Sequence, residues 1–254
     1  MINSLFTFTD LTGQEFLILT GIVVVAGIVR GFSGFALSAL VMASGVMILS
    51  PVELIPICWC LEMVASALMA RSGWQEADRG VVMGLVIGSA VGVPIGLALL
   101  MSFPVETSKL VVLAIIIVLA LTQLAKIRFA FLATRAGLYL SGFVAGVVTG
   151  LAHVGGMVVA LYVLSQNATA AKMRAALVLY LFISMFTSLI FYLIADVMTW
   201  QALVRGVAFA VPAAGGVLIG QWLFIPRFAA YYRPFCLSLL CALAMISAIR
   251  TQFA

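Results

Sequence analysis

The sequence predicts an all-α polytopic membrane protein made of two homologous halves. Each half is a glycine-broken helical hairpin plus three transmembrane helices, and the two are set as inverted repeats. Three observations lead there. The chain of 254 residues is 65% hydrophobic and 8% charged, with a mean hydropathy of +1.30, whereas a soluble domain carries about 25% charged residues. Two apolar stretches are too long for one ordinary crossing, and both are interrupted by glycine. Three short motifs recur in the same order in the two halves.

Taken in order, residues 1–13 form a short polar segment (Asn3, Ser4, Thr7, Asp10, Thr12) without the basic stretch and cleavage site of a signal peptide. A helix needs about 20 apolar residues to cross the hydrocarbon core. Residues 14–49 exceed that length and break at "GIVRG" (27–31), which suggests a hairpin. Single spans fit 51–70, 80–101 and 105–124, closing a first repeat at 14–124. A basic linker, 125–135, carries Lys126, Arg128 and Arg135 and is expected in the cytoplasm. The second repeat, 136–254, opens on another overlong segment, 136–165, broken at "GVVTG" (146–150). Spans at 173–195, 206–225 and 234–250 follow. Glu53, just after Pro51, sits where a carboxylate complements a helix N-terminus. Trp74 and Trp200 read as interface residues at helix starts.

The duplication rests on "GIVRG" with "GVVTG", "WQEADRGV" (74–81) with "WQALVRGV" (200–207), and "GVPIG" (92–96) with "GVLIG" (216–220). Internal repeats of this kind mark secondary transporters. Charge tests the hairpin. With 136–165 as a simple span, seven basic residues would face one side and five the other. With 136–165 as a hairpin, Lys172, Arg174, Arg227 and Arg233 join Arg71, Arg79, Lys126, Arg128 and Arg135 on the cytoplasmic side. Lys109, Arg205 and Arg250 then face outward, a split of nine to three. The positive-inside rule selects the hairpin. An odd number of crossings per half makes the halves inverted, with hairpins entering from opposite faces.

A broken helix leaves unpaired N–H groups where its second arm begins, and these form an anion site that glycine lets a ligand approach closely. Gly31 and Gly34 would serve in the first half, and Gly150, Gly155 and Gly156 in the second. Ser33 would add a hydroxyl, and Arg30 a permanently charged, forked cation. Arginine at mid-membrane costs about 2.5–3.5 kcal/mol, which is why such residues are usually buried and functional. The structural alternative is snorkelling of Arg30 to the interface. His153 aligns with Gly34 and is a candidate for substrate contact or proton coupling. Thr149, aligned with Arg30, is a further candidate contact. Glu62 lies near mid-span, where a carboxylate must be paired or protonated. Ion pairing with Arg30 and proton coupling are both open to it.

Other classes fit less well. The cysteines Cys58, Cys60, Cys236 and Cys241 all lie in apolar runs, where packing is the expectation. One histidine and two intramembrane glutamates are too few for a metal site. The net charge of +5 comes from short loops between apolar segments, not from a nucleic-acid surface. "NAT" at 167–169 has the form of a glycosylation acceptor but falls on the expected cytoplasmic side.

The motifs "GIVRGFSGFALS" and "GVVTGLAHVGGMVVA", with "GLVIGSAVGVPIG" and "VPAAGGVLIG", resemble the sulfite exporter TauE/SafE family of bacterial membrane proteins, over roughly residues 14–250. The sequence departs from the usual glycine-rich runs at Phe35–Ala36 and at His153. The resemblance implies a multi-pass protein of the bacterial inner membrane that exports sulfite or a two- or three-carbon organosulfonate such as sulfoacetate. It implies no enzyme activity, no cofactor and no metal. The partners expected are that small anion, the lipid bilayer and a second copy of the chain as a homodimer, with no nucleic acid. An inside-negative potential already favours outward movement of a monoanion by about 2.3 kcal/mol per 100 mV, so proton coupling is not required. Two alternatives stand beside this reading. One is a passive anion channel. The other is an intramembrane serine protease, since "GFSG" (31–34) and "AHVGG" (152–156) are also similar to rhomboids, with Ser33 as nucleophile and His153 as base.

Overall fold

The computed structural model describes residues 10–127, 130–166, 170–223 and 229–253. Among them are ten α-helices: α1 Gly13–Ser33, α2 Leu37–Gly45, α3 Pro51–Glu76, α4 Arg79–Ser102, α5 Val105–Leu124, α6 Arg135–Ala152, α7 Gly155–Ser165, α8 Ala170–Ile194, α9 Trp200–Trp222 and α10 Ala229–Phe253. A 3-10 turn, Ala130–Ala133, precedes α6. Polar caps set several starts. Thr12 and Glu15 form a capping box for α1, Asp78 accepts from Gly80 and Val81 at α4, Thr134 caps α6 through Gly137, and Thr199 caps α9 through Ala202. The Thr199 cap starts α9 at Trp200, earlier than the span expected from residue 206. Trp74 instead lies near the end of α3, with the Arg79 guanidinium 5.1 Å over its ring. The "NAT" triplet lies outside the described residues.

Among the described residues, seven helices are long and apolar enough to cross a membrane: α1, α3, α4, α5, α6, α8 and α9. In α10 the apolar stretch among the described residues is the shorter Leu237–Thr251. The outer faces carry exposed Ile87, Val91, Val118, Ile190 and Val211, as contact with lipid tails requires.

Both overlong segments fold as helix–break–helix hairpins. Gly45, at the end of α2, lies beside the second turn of α1, where a Cβ would meet Leu19 Cδ2 at 3.6 Å. Gln166, just past α7, brings its Nε2 within 3.5 Å of the Leu132 carbonyl, just before α6. α8 touches both breaks, at opposite ends. Arg174, in its second turn, donates to the Gly31 carbonyl at 2.7 Å, and Tyr192, in its last turn, meets His153 at 2.8 Å.

Glycine contacts lock the bundle crosswise. α1 packs on α9, and α6 on α4. A Cβ on Gly27 would meet Gly216 Cα at 3.2 Å, and one on Gly31 would meet Gly220 Cα at 2.8 Å. A Cβ on Gly92 would meet the Gly146 carbonyl carbon at 3.0 Å, and one on Gly150 the Gly96 carbonyl carbon at 2.9 Å. The motif "GIVRG" therefore meets "GVLIG", and "GVVTG" meets "GVPIG". Small residues at this spacing allow the backbone contact that drives helix association in lipid. α3 and α8 pack together between these pairs, and Trp59 Nε1 donates to the Met185 carbonyl at 2.9 Å.

Candidate functional site

The first tip is a three-residue turn. α1 ends with Gly34 in the left-handed region (φ 80°), its N–H bonded to the Arg30 carbonyl at 2.9 Å. A side chain at Gly34 would also collide with Arg174 Cγ, so both backbone and space favour glycine there. Ala36 is left-handed as well (φ 77°), which costs a non-glycine residue about 1–2 kcal/mol. The turn is braced by Ser33, whose hydroxyl donates to the Phe35 carbonyl at 2.6 Å and accepts the Phe35 N–H at 3.3 Å.

Arg30, one turn before this break, is completely buried, so it does not snorkel. Its Nε donates to Glu62 Oε2 at 3.0 Å, its Nη2 to Ser66 Oγ at 3.0 Å, and its Nη1 to the Gly34 carbonyl. The other Glu62 oxygen, Oε1, accepts from the Ser38 hydroxyl at 3.1 Å and from the Ser38 N–H at 3.4 Å. Arg30 and Glu62 therefore form a buried ion pair. The carboxylate sits at the first turn of α2, where the broken helix was expected to bind an anion. A buried ion pair holds its geometry when its remaining hydrogen-bonding groups are satisfied, and here Ser38, Ser66 and Gly34 satisfy them.

The second tip opens on the same left-handed cap but is a shorter, two-residue turn with different chemistry. α6 ends with His153 in the left-handed region (φ 54°), its N–H bonded to the Thr149 carbonyl at 2.8 Å. His153 thus holds the conformation that Gly34 holds in the first half. It is buried, with Nδ1 2.8 Å from the Tyr192 hydroxyl. Its Nε2 is buried without a hydrogen-bond partner among the described residues. The Thr149 hydroxyl donates to the Ala145 carbonyl at 2.7 Å, within its own helix. α7 restarts close against α6, since a Cβ on Gly155 would collide with Thr149 and Ala145.

The two tips meet at one cavity. Phe35, Ala36, Ser38 and Ala39 line it from the first tip and His153, Val154, Gly156 and Met157 from the second, with Glu62 from α3 and Leu181 from α8. Its volume of about 10 Å³ holds about one water molecule.

Of the residues singled out in the sequence, Glu62, His153 and Gly156 line the cavity, and Arg30 and Gly34 hold Glu62 and the first tip in place. Gly31 and Gly150 face neighbouring helices, Gly155 packs the second hairpin, and the Ser33 and Thr149 hydroxyls are engaged by nearby backbone. Ser33 and His153 bond to Phe35 and Tyr192 respectively, not to each other, so the nucleophile–base pair of a protease is not assembled. Sequence reasoning missed Ser38, Ser66, Arg174 and Tyr192. Ser66 was within reach of it, standing four residues after Glu62 on the same helix face. Glu53 does sit in the first turn of α3, in a capping box with Ser50, and its further partner is Arg205 at 3.0 Å.

A bundle of membrane-length helices around two broken helices, with a small cavity where the breaks meet that places Ser38, Glu62 and His153 among apolar side chains, fits the class of secondary transporters. The chain belongs to the sulfite exporter TauE/SafE family, whose sequence model matches residues 19–246. It is accordingly a multi-pass transporter of the cytoplasmic membrane with a small anion as substrate, and not an enzyme. Comparison with curated proteins and with solved structures gives no match.

Proposed function

We propose that the protein exports a small sulfur oxyanion, sulfite or a two- or three-carbon organosulfonate such as sulfoacetate, through a site between the two hairpin tips. The observation that carries this reading is the position of Glu62. Its carboxylate lies against Arg30 and the first turn of α2, so the cradle is built to hold an anion. The cargo competes with Glu62 for the guanidinium as the tips part. His153 and the first turn of α7 form the opposite wall. A cavity this tight favours a carrier with moving gates over a passive channel.

The reading includes two inverted halves, 14–124 and 136–254, joined by the basic segment 125–135. Three features support it. The four glycine motifs pack crosswise, α1–α9 mirrors α6–α4, and the two tips reach opposite ends of α8. The end of the bundle where α8 begins then lies in the cytoplasm, with Arg135, Lys172 and Arg174.

The test is anion efflux and binding in reconstituted vesicles. Arg30→Lys keeps the charge and loses the fork, so it should weaken binding and leave some transport. Arg30→Gln should nearly abolish binding. Normal transport by Arg30→Gln would move the site elsewhere.

A further inference from the structure

We propose that Tyr192 is a positioning residue that fixes the single histidine, His153, with its proton on Nε2, so that the second tip presents a neutral N–H donor to the anion. This rests on the reading that the anion binds between the tips. The Tyr192 hydroxyl has one proton to give and two neighbours to receive it, His153 Nδ1 at 2.8 Å and the Thr149 carbonyl at 3.4 Å. Hydroxyl donors bond at about 2.5–3.0 Å, so the proton belongs on the path to Nδ1. The Thr149 carbonyl does not need it, because it already accepts the His153 backbone N–H at 2.8 Å. Nδ1 is therefore the acceptor, and a neutral imidazole then carries its proton on Nε2.

The surroundings agree with that assignment. His153 lines the cavity whose other wall holds the Glu62 carboxylate, and Nε2 is buried without a partner among the described residues. Glu62 and His153 line the same cavity, so a proton on Nε2 is favoured by that carboxylate, whereas a bare lone pair would be disfavoured by it and by an anionic cargo. Tyr192 can hold this arrangement because it is itself fully buried in the last turn of α8. The left-handed backbone at His153 is pinned by its own cap bond. The ring is thus fixed from both ends before any anion arrives, which limits the ordering that binding must impose.

Because the chain has one histidine, nitrogen NMR of protein labelled at histidine and purified with a histidine-free tag reads this ring alone. Without added anion, Nδ1 should resonate as an unprotonated nitrogen and Nε2 as a protonated one. Methanesulfonate or sulfite should then shift the Nε2 signal, leaving Nδ1 nearly in place. In Tyr192→Phe the preference for the Nε2 proton should be lost, and affinity for methanesulfonate should fall by about tenfold, as for loss of one hydrogen bond's alignment. A protonated Nδ1 in the wild type overturns the proposal, as does an unchanged tautomer in Tyr192→Phe. The anion-free wild-type spectrum needs no variant, so it decides the assignment even if Tyr192→Phe does not fold. If the tautomer is as stated and neither anion shifts Nε2 or binds, the reading of the site between the tips fails instead, and the role toward the anion falls with it.

Discussion

Replacing Glu62 by glutamine should tighten anion binding while weakening the anion-free fold. In the wild type, Glu62 holds Arg30 Nε at 3.0 Å and the first turn of α2 through Ser38. A second anion at Arg30 would stand within about 4 Å of that carboxylate, where two like charges repel by about 4 kcal/mol at an effective dielectric of about 20. The amide of Glu62→Gln keeps the shape and a single acceptor oxygen, which can face Arg30 or Ser38 but not both, and removes the repulsion. Allowing for relaxation of the tips, affinity for methanesulfonate should rise on the order of 10²- to 10³-fold. The cost falls on the free protein, because Arg30 is left as an uncompensated buried charge, a loss of about 3–5 kcal/mol when one partner of such a pair is removed. Both effects are read together in thermal unfolding of purified protein titrated with methanesulfonate. Glu62→Gln should start lower than the wild type and gain more with anion, since a ligand that binds only the folded form stabilises it in proportion to its affinity. Equal or weaker binding by Glu62→Gln would refute competition at Arg30 and leave the Arg30–Glu62 pair a purely structural one.

The crossed glycine contacts can be tested with paired substitutions. Gly220→Ala would drive a methyl into the backbone of Ile28 on α1 and should cost about 1–3 kcal/mol, whereas Gly215→Ala meets nothing within 4 Å and should be neutral or stabilise by about 0.5–1 kcal/mol in thermal unfolding. Equal effects at the two positions would remove the packing argument. For topology, Lys172→Cys should be shielded from an impermeant thiol reagent in intact cells, and Glu106→Cys should react. Labelling of Lys172→Cys from outside would reverse the orientation.

What could be read in the sequence was whatever leaves a periodic or compositional trace. Span lengths, both breaks and the three motif pairs are of that kind, because lipid demands long apolar helices and close packing demands glycine. Arg30, Glu62 and His153 stood out because a polar side chain in such a sequence is costly. Their partners were not legible for a physical reason. Ser38, Ser66 and Tyr192 are cheap in a membrane helix, the serines because their hydroxyls can bond back to the helix and the tyrosine because its ring is mostly apolar, so nothing marked them before the fold brought them to Glu62, Arg30 and His153. The glycines misled in the opposite direction. Gly31 and Gly150 were read as ligand-approach positions, but the same absence of a Cβ serves helix contact, and sequence alone does not separate the two uses.

The two tips share a left-handed cap and differ in charge, and the difference follows from the electrostatics of the cavity between them. His153 occupies the left-handed position of Gly34, and Thr149 aligns with Arg30, so a strictly duplicated site would place a second buried guanidinium near the first. Across a space of about one water molecule, two such cations would repel by several kcal/mol at the effective dielectric of a protein interior. They would also need two resident carboxylates. Thr149 instead satisfies its hydroxyl on the Ala145 carbonyl, and His153 supplies a neutral ring that can donate without charge. The resulting cavity is lined by one carboxylate, Glu62, which is balanced by the Arg30 guanidinium paired to it. Under the proposed function, such a carrier would exchange one negative charge for another at Arg30, which would suit a cargo with a single negative charge and a second face that accepts a neutral hydrogen bond. A sulfonate, with three oxygens sharing one charge, meets both requirements.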